Sequence, residues 1–307
     1  MTSGAPKSWS DLHQVALASL KDIGVESAES EARWLLEYVS GLGFEALLIE
    51  DGPATIRAER QIKTLLERRL TGEPLQYVLG EWAFRDLDLL VDQRVLIPRP
   101  ETEIVVEIAL LEAAKAGMRV EMRVGASDPW AKDGSDHVVV DLGTGSGAIA
   151  IALERAMPDA QVWATDLSTD ALCVARANIA GTGATRVRVG EGAWFDALPI
   201  ELKGKLMLVV SNPPYIAEHE RSDLPAEVIE WEPYGALISG PTGLESIEAI
   251  LVRAPEWLAP GGVVVIEHAP HQEGAVITLA TEAGLIDARV YPDLTGRPRV
   301  LVARSPK

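Results

Sequence analysis

The chain holds a single cysteine, Cys173, in 307 residues, which excludes an internal disulfide and a zinc site built from cysteines. Basic residues are also scarce: 28 Lys and Arg stand against 46 Asp and Glu, for a formal net charge of -18 and a pI near 4.7. Nucleic-acid affinity rests largely on Lys and Arg displacing counterions, so a phosphate backbone is a poor partner for this chain and no direct nucleic-acid contact is expected. A basic protein or a cationic small molecule suits the field better. No stretch approaches about 18 uninterrupted apolar residues, and residues 1–9 lack a basic region followed by an apolar one. Neither a membrane span nor a secretory leader is expected, and the reducing cytoplasm is the expected setting. There is no internal repeat or low-complexity tract.

What is present is ordinary for a globular protein, with 47% hydrophobic and 24% charged residues punctuated by 26 Gly and 19 Pro. The length suggests two domains. Over residues 10–70, Leu12, Val15, Ala16, Leu20, Leu35, Leu36, Val39, Ile62, Leu65, Leu66 and Leu70 recur mostly at spacings of three and four. Residues 1–80 therefore read as a small bundle of amphipathic helices, with Ser10 as the expected first cap and Gly24, Gly41, Gly43 and Gly72 as stops. Residues 81–100 read as a hairpin or extended linker, with runs at 82–84, 87–91 and 95–97. Ile97-Pro98-Arg99-Pro100 must be stiff, because each proline fixes its own φ and biases the residue before it toward an extended form.

Residues 101–307 form the third segment. A helix over 101–116 precedes a loop or insertion at 118–137. Strands at 138–140, 161–164, 187–189, 206–210 and 263–266 then alternate with helices at 148–156, 168–180, 243–257 and 273–283, before two final strands. Such alternation predicts an α/β fold with a mostly parallel sheet and helices on both faces.

Asp141-Leu142-Gly143-Thr144-Gly145-Ser146-Gly147 ends the first of these strands and opens a helix, the place where doubly wound sheets bind ligands. Three glycines at alternate positions let the backbone turn sharply and approach a ligand without a Cβ in the way. Asp166 closes the next strand, where a carboxylate can accept hydrogen bonds from ribose hydroxyls. Its competing reading is a turn residue ahead of the helix capped near Ser168. Dinucleotide sites use a Gly-x-Gly-x-x-Gly spacing to set a helix N-terminus on pyrophosphate. The shorter spacing here, with the acid Asp141 ahead of it, suits a cationic ligand without phosphates, and S-adenosylmethionine is preferred to NAD. Trp194, after the third strand at the same rim, is a candidate for packing on adenine, against the plainer reading of a core tryptophan.

Ser211-Asn212-Pro213-Pro214-Tyr215 leaves the fourth strand beside the glycine loop. Two prolines after an asparagine cannot continue a central strand, and what they leave available is acceptors. The Asn212 side-chain oxygen and the Pro213 carbonyl can take both protons of one NH2 group, with Pro214 stiffening the turn and Tyr215 against the flat substrate group or near the sulfonium. Asn212, Pro213 and Tyr215 are thus the catalytic candidates, Asn212 to Tyr215 the substrate-binding ones, and Asn212 borders the cofactor as well. A rigid turn without function is the alternative. His268 and His271, three apart around Pro270, are read as a turn and no metal is expected. Cys173 is read as a buried helix thiol, and Arg297-Pro298-Arg299 as a charged turn open to a partner.

With those residues named, the chain resembles the HemK/PrmC family of protein-(glutamine-N5) methyltransferases. The resemblance runs through Gly72-Glu73-Pro74-Leu75-Gln76-Tyr77 with Gly80, the connector Leu96-Ile97-Pro98-Arg99-Pro100-Glu101-Thr102-Glu103, the Asp141 to Gly147 loop, Asn212 to Tyr215, Glu232-Pro233, Ala236-Leu237 and Gly296-Arg297. It implies a class I, Rossmann-like, S-adenosylmethionine-dependent methyltransferase sheet joined by a hairpin linker to an N-terminal helical domain that docks the substrate. It also implies transfer of a methyl group to the glutamine of the Gly-Gly-Gln motif in class I peptide-chain release factors, by a monomer. In the same way it implies that Gly143, Thr144, Gly145, Ser146, Gly147, Asp166 and Trp194 contact the cofactor. Ala193 stands where that family often has an acidic residue, and the 118–137 loop is longer than usual. Adenine-N6 methyltransferases of DNA or RNA share Asn-Pro-Pro-Tyr and are the alternative.

Overall fold

The computed structural model describes residues 7–121 and 137–307. Of the loop expected at 118–137, residues 122–136 lie outside the described residues. Two compact units are present: residues up to Gly80 together with Ala226–Trp231, and Glu81–Pro225 together with Glu232–Lys307.

The first unit is helical, with α1 (Trp9–Asp22), α2 (Ala28–Ser40), α3 (Phe44–Glu50), α4 (Ile56–Arg69), α5 (Leu75–Leu79) and the later short helix Ala226–Trp231. Ser8, not Ser10, caps α1: its hydroxyl accepts from Asp11 N at 3.1 Å while the Asp11 carboxylate accepts from Ser8 N at 3.0 Å. Such a box needs an acid three residues beyond the cap, and three beyond Ser10 stands His13. Gly43 likewise opens α3, and Gly41, left-handed at φ 70°, ends α2. Ala16, Leu20, Ala32, Leu35 and Leu36 are fully buried between the helices. Arg69 is buried too, paired with Glu31 at 2.7 Å and Glu227 at 3.3 Å.

The second unit opens with the antiparallel hairpin β1 (Glu81–Phe84) and β2 (Leu87–Leu90). The extended run expected at 95–97 is not a strand: Val95 N bonds Asp92 O in a turn, and Ile97 N bonds the Glu232 carboxylate. The prolines that follow cannot supply a ladder. Then come α6 (Pro100–Lys115), β3 (Val138–Leu142), α7 (Ala148–Ala156), β4 (Gln161–Asp166), α8 (Thr169–Thr182), β5 (Arg188–Glu191) and β6 (Leu206–Ser211). After β7 (Ile216–Ala217), the Ala226–Trp231 helix counts as α9. It is followed by α10 (Tyr234–Leu237), β8 (Ile238–Gly240), α11 (Glu245–Trp257), β9 (Leu258–Glu267), α12 (Glu273–Glu282), β10 (Ile286–Pro292) and β11 (Pro298–Arg304).

Among the described residues, seven strands form one sheet in the order β10-β11-β9-β6-β3-β4-β5. The five from β9 to β5 are parallel, and β11 and β10 add antiparallel at one edge. Alternation along the buried strands serves both faces. Val139, Leu208, Val210, Val263 and Val265 pack with α6 and α7, whereas Val140, Leu142, Val209, Val264 and Ile266 pack with α11 and α12. Cys173 is exposed, contrary to its expected burial, because Ala171, Leu172, Val174 and Ala175 already form the inward stripe of α8. No helix among the described residues is long and apolar enough to cross a membrane.

Candidate active site

Because β3, β4 and β6 run parallel, their carboxyl ends reach one edge of the sheet, and three loops converge there. Gly143, Gly145 and Gly147 all take positive φ (73°, 54° and 86°), a conformation costly for a residue with a Cβ. Asp141 sits beneath this loop with no exposed surface. Its Oδ2 accepts from the Thr144 hydroxyl at 2.6 Å and from Ala150 N at 3.1 Å, which ties the loop to the first turn of α7. Its Oδ1 has no partner, and burial pushes the carboxyl up to about 7. Asp166 accepts from Gly145 N and Ser168 N, each at 2.9 Å. It therefore holds the loop and starts the turn into α8 at once, with burial raising its pKa. Asn178 extends the support by donating to Ser146 O at 2.8 Å and Leu90 O at 3.0 Å, so the hairpin and the glycine loop are braced by one side chain.

A cavity of about 460 Å³ opens above these loops, within the usual size for small-molecule sites. Gly143, Thr144, Gly145, Ser146, Asp166, Trp194, Asn212 and Pro214 line it. Asp141, Gly147, Pro213 and Tyr215 stand behind the wall rather than on it. Trp194 is held at φ 51°, and a Cβ added to Gly143 would meet its ring at 3.5 Å. The next residue, Phe195, is the core aromatic, stacked on Trp257 at 5.5 Å between centroids.

Asn212 donates from Nδ2 to Thr102 Oγ1 at 3.0 Å, and Thr102 donates to Glu267 Oε2 at 2.8 Å. Tyr215, expected against the substrate, instead donates its hydroxyl to Glu267 Oε1 at 3.2 Å and packs against the core. Burial pushes the Glu267 carboxyl up to about 7. Sequence reasoning missed Thr102 and Glu267 as site residues. The one available signal was an acid at the carboxyl end of a buried parallel strand. It also missed the two cavity walls formed by residues 94–98 and 233–238, which an ion pair between Arg99 and the buried Glu232 joins.

The donor set fits S-adenosylmethionine. Among the described residues the cavity's charged side chains are Asp166 and Arg94, and the Arg94 guanidinium is engaged by Asp92 at 2.6 and 2.8 Å. The open space over Gly145 and the unpartnered Asp141 Oδ1 suit a cationic ligand.

Comparison with known proteins bears on the whole chain. Residues 11–80 match the PrmC N-terminal domain and residues 130–231 the methyltransferase small domain. A release factor glutamine methyltransferase of Streptomyces coelicolor is 39% identical over 297 residues, covering 95% of this chain and 97% of that one. A bifunctional methyltransferase of Rickettsia felis is 37% identical over 92% of this chain, which spans only 55% of that relative's length. Among solved structures, the hMettl16 catalytic domain in complex with the MAT2A 3'UTR hairpin 6 covers 82% of each chain at a TM-score of 0.52. At 12% identity it shows the class I methyltransferase fold alone. Identity near two residues in five along almost the full length is more than a shared fold brings, and this chain belongs to the release factor glutamine methyltransferase family.

Proposed function

We propose that this chain transfers a methyl group from S-adenosylmethionine to the side-chain nitrogen of the glutamine in the Gly-Gly-Gln motif of class I peptide-chain release factors. The observation that carries the reading is Asn212: with Nδ2 held by Thr102, Oδ1 is the acceptor left at the cavity wall beside the glycine loop. Bound in the cavity, the cofactor supplies an electrophilic methyl carbon on a sulfonium. Gly143 to Gly147, Asp166 and Trp194 are the residues assigned to hold it, with the Asp141 charge beneath.

An amide nitrogen is a poor nucleophile because its lone pair is delocalised. Asn212 Oδ1 accepts one of its protons at the wall, and the Pro213 carbonyl, from a residue set behind that wall, is assigned the other; together they favour pyramidal character and aim the lone pair. Placement of that kind is worth roughly 7 kcal/mol or more in favourable cases. Tyr215 supports the grip from behind through Glu267. The helical domain of residues 1–80 docks the release factor, the 81–100 linker joins it to the catalytic domain, and the enzyme works as a cytoplasmic monomer. A net charge of -18 favours a protein substrate over DNA or RNA adenine.

The test is transfer of label from the cofactor to a release factor, to its variant with the Gly-Gly-Gln glutamine replaced by alanine, and to nucleic acid. Label is expected on the first alone; equal labelling of the alanine variant, or preferential labelling of nucleic acid, defeats the reading. Asn212→Ala is expected to bind the cofactor almost as the parent does while turnover drops roughly hundredfold or more, in the range for removing one placed polar group. Parent-like turnover would show that the amide does not hold the substrate.

A further inference from the structure

Thr102 and Glu267 stand 110 and 165 residues from their partners in a buried chain of hydrogen bonds that ends at Asn212. Both have little exposed surface, at 5% and 1%, with Thr102 on the cavity lining and Glu267 beneath it. A threonine hydroxyl has one proton to give. Thr102 gives it to the Glu267 carboxylate, and toward Asn212 it has only lone pairs left. An asparagine amide can face such an oxygen with its NH2 group but not with its carbonyl.

We propose that Thr102 and Glu267 are positioning residues for methyl transfer: ionised Glu267 takes the Thr102 proton, and Thr102 as a pure acceptor fixes the Asn212 amide with Nδ2 inward and Oδ1 toward the cavity. The inference rests on the reading that Asn212 grips the substrate NH2 group. A reversed amide would present two N–H donors to a group that itself has only donors to offer, and the grip would fail without any change in shape.

The state of Glu267 therefore matters. Burial pushes its carboxyl up to about 7. Thr102 and Glu101 face it from α6, Tyr215 from the exit of β6 and Arg299 from β11, with His268 next in the chain; of these, Thr102, Arg299 and Tyr215 oppose the upward shift and Glu101 adds to it. Above about 7 the carboxylate accepts from both hydroxyls and the lock is engaged. Below it, the acid has one proton to place: on the Tyr215 side the lock holds, but on the Thr102 side it donates to Thr102, whose own proton then turns toward Asn212 and leaves the amide free to turn over. A glutamine at 267 offers the same one acceptor and one donor as the neutral acid but does not titrate, so the balance of the two arrangements does not change with pH.

Asn178 and Asn212 are the only two asparagines in the chain, so side-chain labelling of asparagine with nitrogen-15 gives two NH2 signals, readable without turnover. The Asn212 pair is expected to be protected from solvent exchange at pH 8 and to lose protection as the pH falls through about 7. In Glu267→Gln the protection does not change with pH, and in Thr102→Val it is absent at every pH. In parallel, kcat for a release factor should rise with pH through about 7 in the parent, but not in Glu267→Gln. Thr102→Val should lose roughly hundredfold in kcat with near-parent cofactor affinity and melting temperature, and Thr102→Ser should recover most of it. An exchange profile of Asn212 that Thr102→Val leaves unchanged, or an acid limb that survives in Glu267→Gln, overturns the inference. Should Thr102→Val not fold, Thr102→Ser and Glu267→Gln carry the same decision. A parent that labels no release factor defeats the functional reading instead, and the exchange measurement still decides the lock.

Discussion

At the residue scale, the site is built on carboxylates kept out of water. Asp141 has no exposed surface and one oxygen without a partner, and burial holds its carboxyl at about 7 instead of near 3.8. The sign of the consequence follows from proton counting. Between those two values the folded state binds more protons than the unfolded one. The stability this group contributes is therefore complete below about 3.8 and lost as the pH rises through about 7. Asp141→Asn keeps an acceptor for Thr144 and Ala150 and removes the charge. Without cofactor, it should gain on the parent by on the order of a few kcal/mol between pH 5 and pH 8.5 in denaturant unfolding. A pH-independent difference would mean that the buried charge is already compensated. The type and place of this acid were legible in the sequence, since it precedes the glycine loop. Its lack of water was not, because burial of a residue depends on what the rest of the chain lays over it.

At the element scale, sequence patterns performed well where an element is long and periodic and poorly where it is short. Helix α7 was legible to the residue at 148–156, and β6 to within one residue, because each carries a repeat of apolar positions. The stretch 216–240 gave no such repeat, yet it contains β7, α9, α10 and β8, and its residues 233–238 form one wall of the cavity. Elements of two to six residues are held by tertiary partners, and their own sequence has little say. Arg69 illustrates the same limit in α4. It falls on the expected helix, but its pairing with Glu31 across 38 residues is a product of helix packing. Arg69→Met should destabilise the helical unit by about 3–5 kcal/mol, because Glu31 would be left charged and buried. A cost below about 1 kcal/mol in unfolding experiments would show that Glu31 finds water or another partner.

At the scale of the whole molecule, the excess of acid acts on everything. A net charge of -18 repels itself in the compact state, and salt screens that repulsion. The melting temperature should rise by a few degrees between about 20 mM and 300 mM sodium chloride, the shift that about 1 kcal/mol brings for a chain of this size. A flat response in calorimetry would show that ion pairs such as Glu112 with Arg289 and Arg304 neutralise the field locally.

By itself the sequence determined the alternating strands and helices, the glycine loop with Asp166 after it, and the Asn-Pro-Pro-Tyr turn at the strand exit, because each is a signal carried by neighbouring residues. Tertiary structure alone decided that Thr102 stands beside Asn212 on the cavity lining with Glu267 beneath it, and that the Tyr215 hydroxyl reaches the same Glu267 carboxylate. Hydrogen bonds between residues more than 100 positions apart leave no local pattern, and they arise only when parallel strands bring their ends to one edge of the sheet.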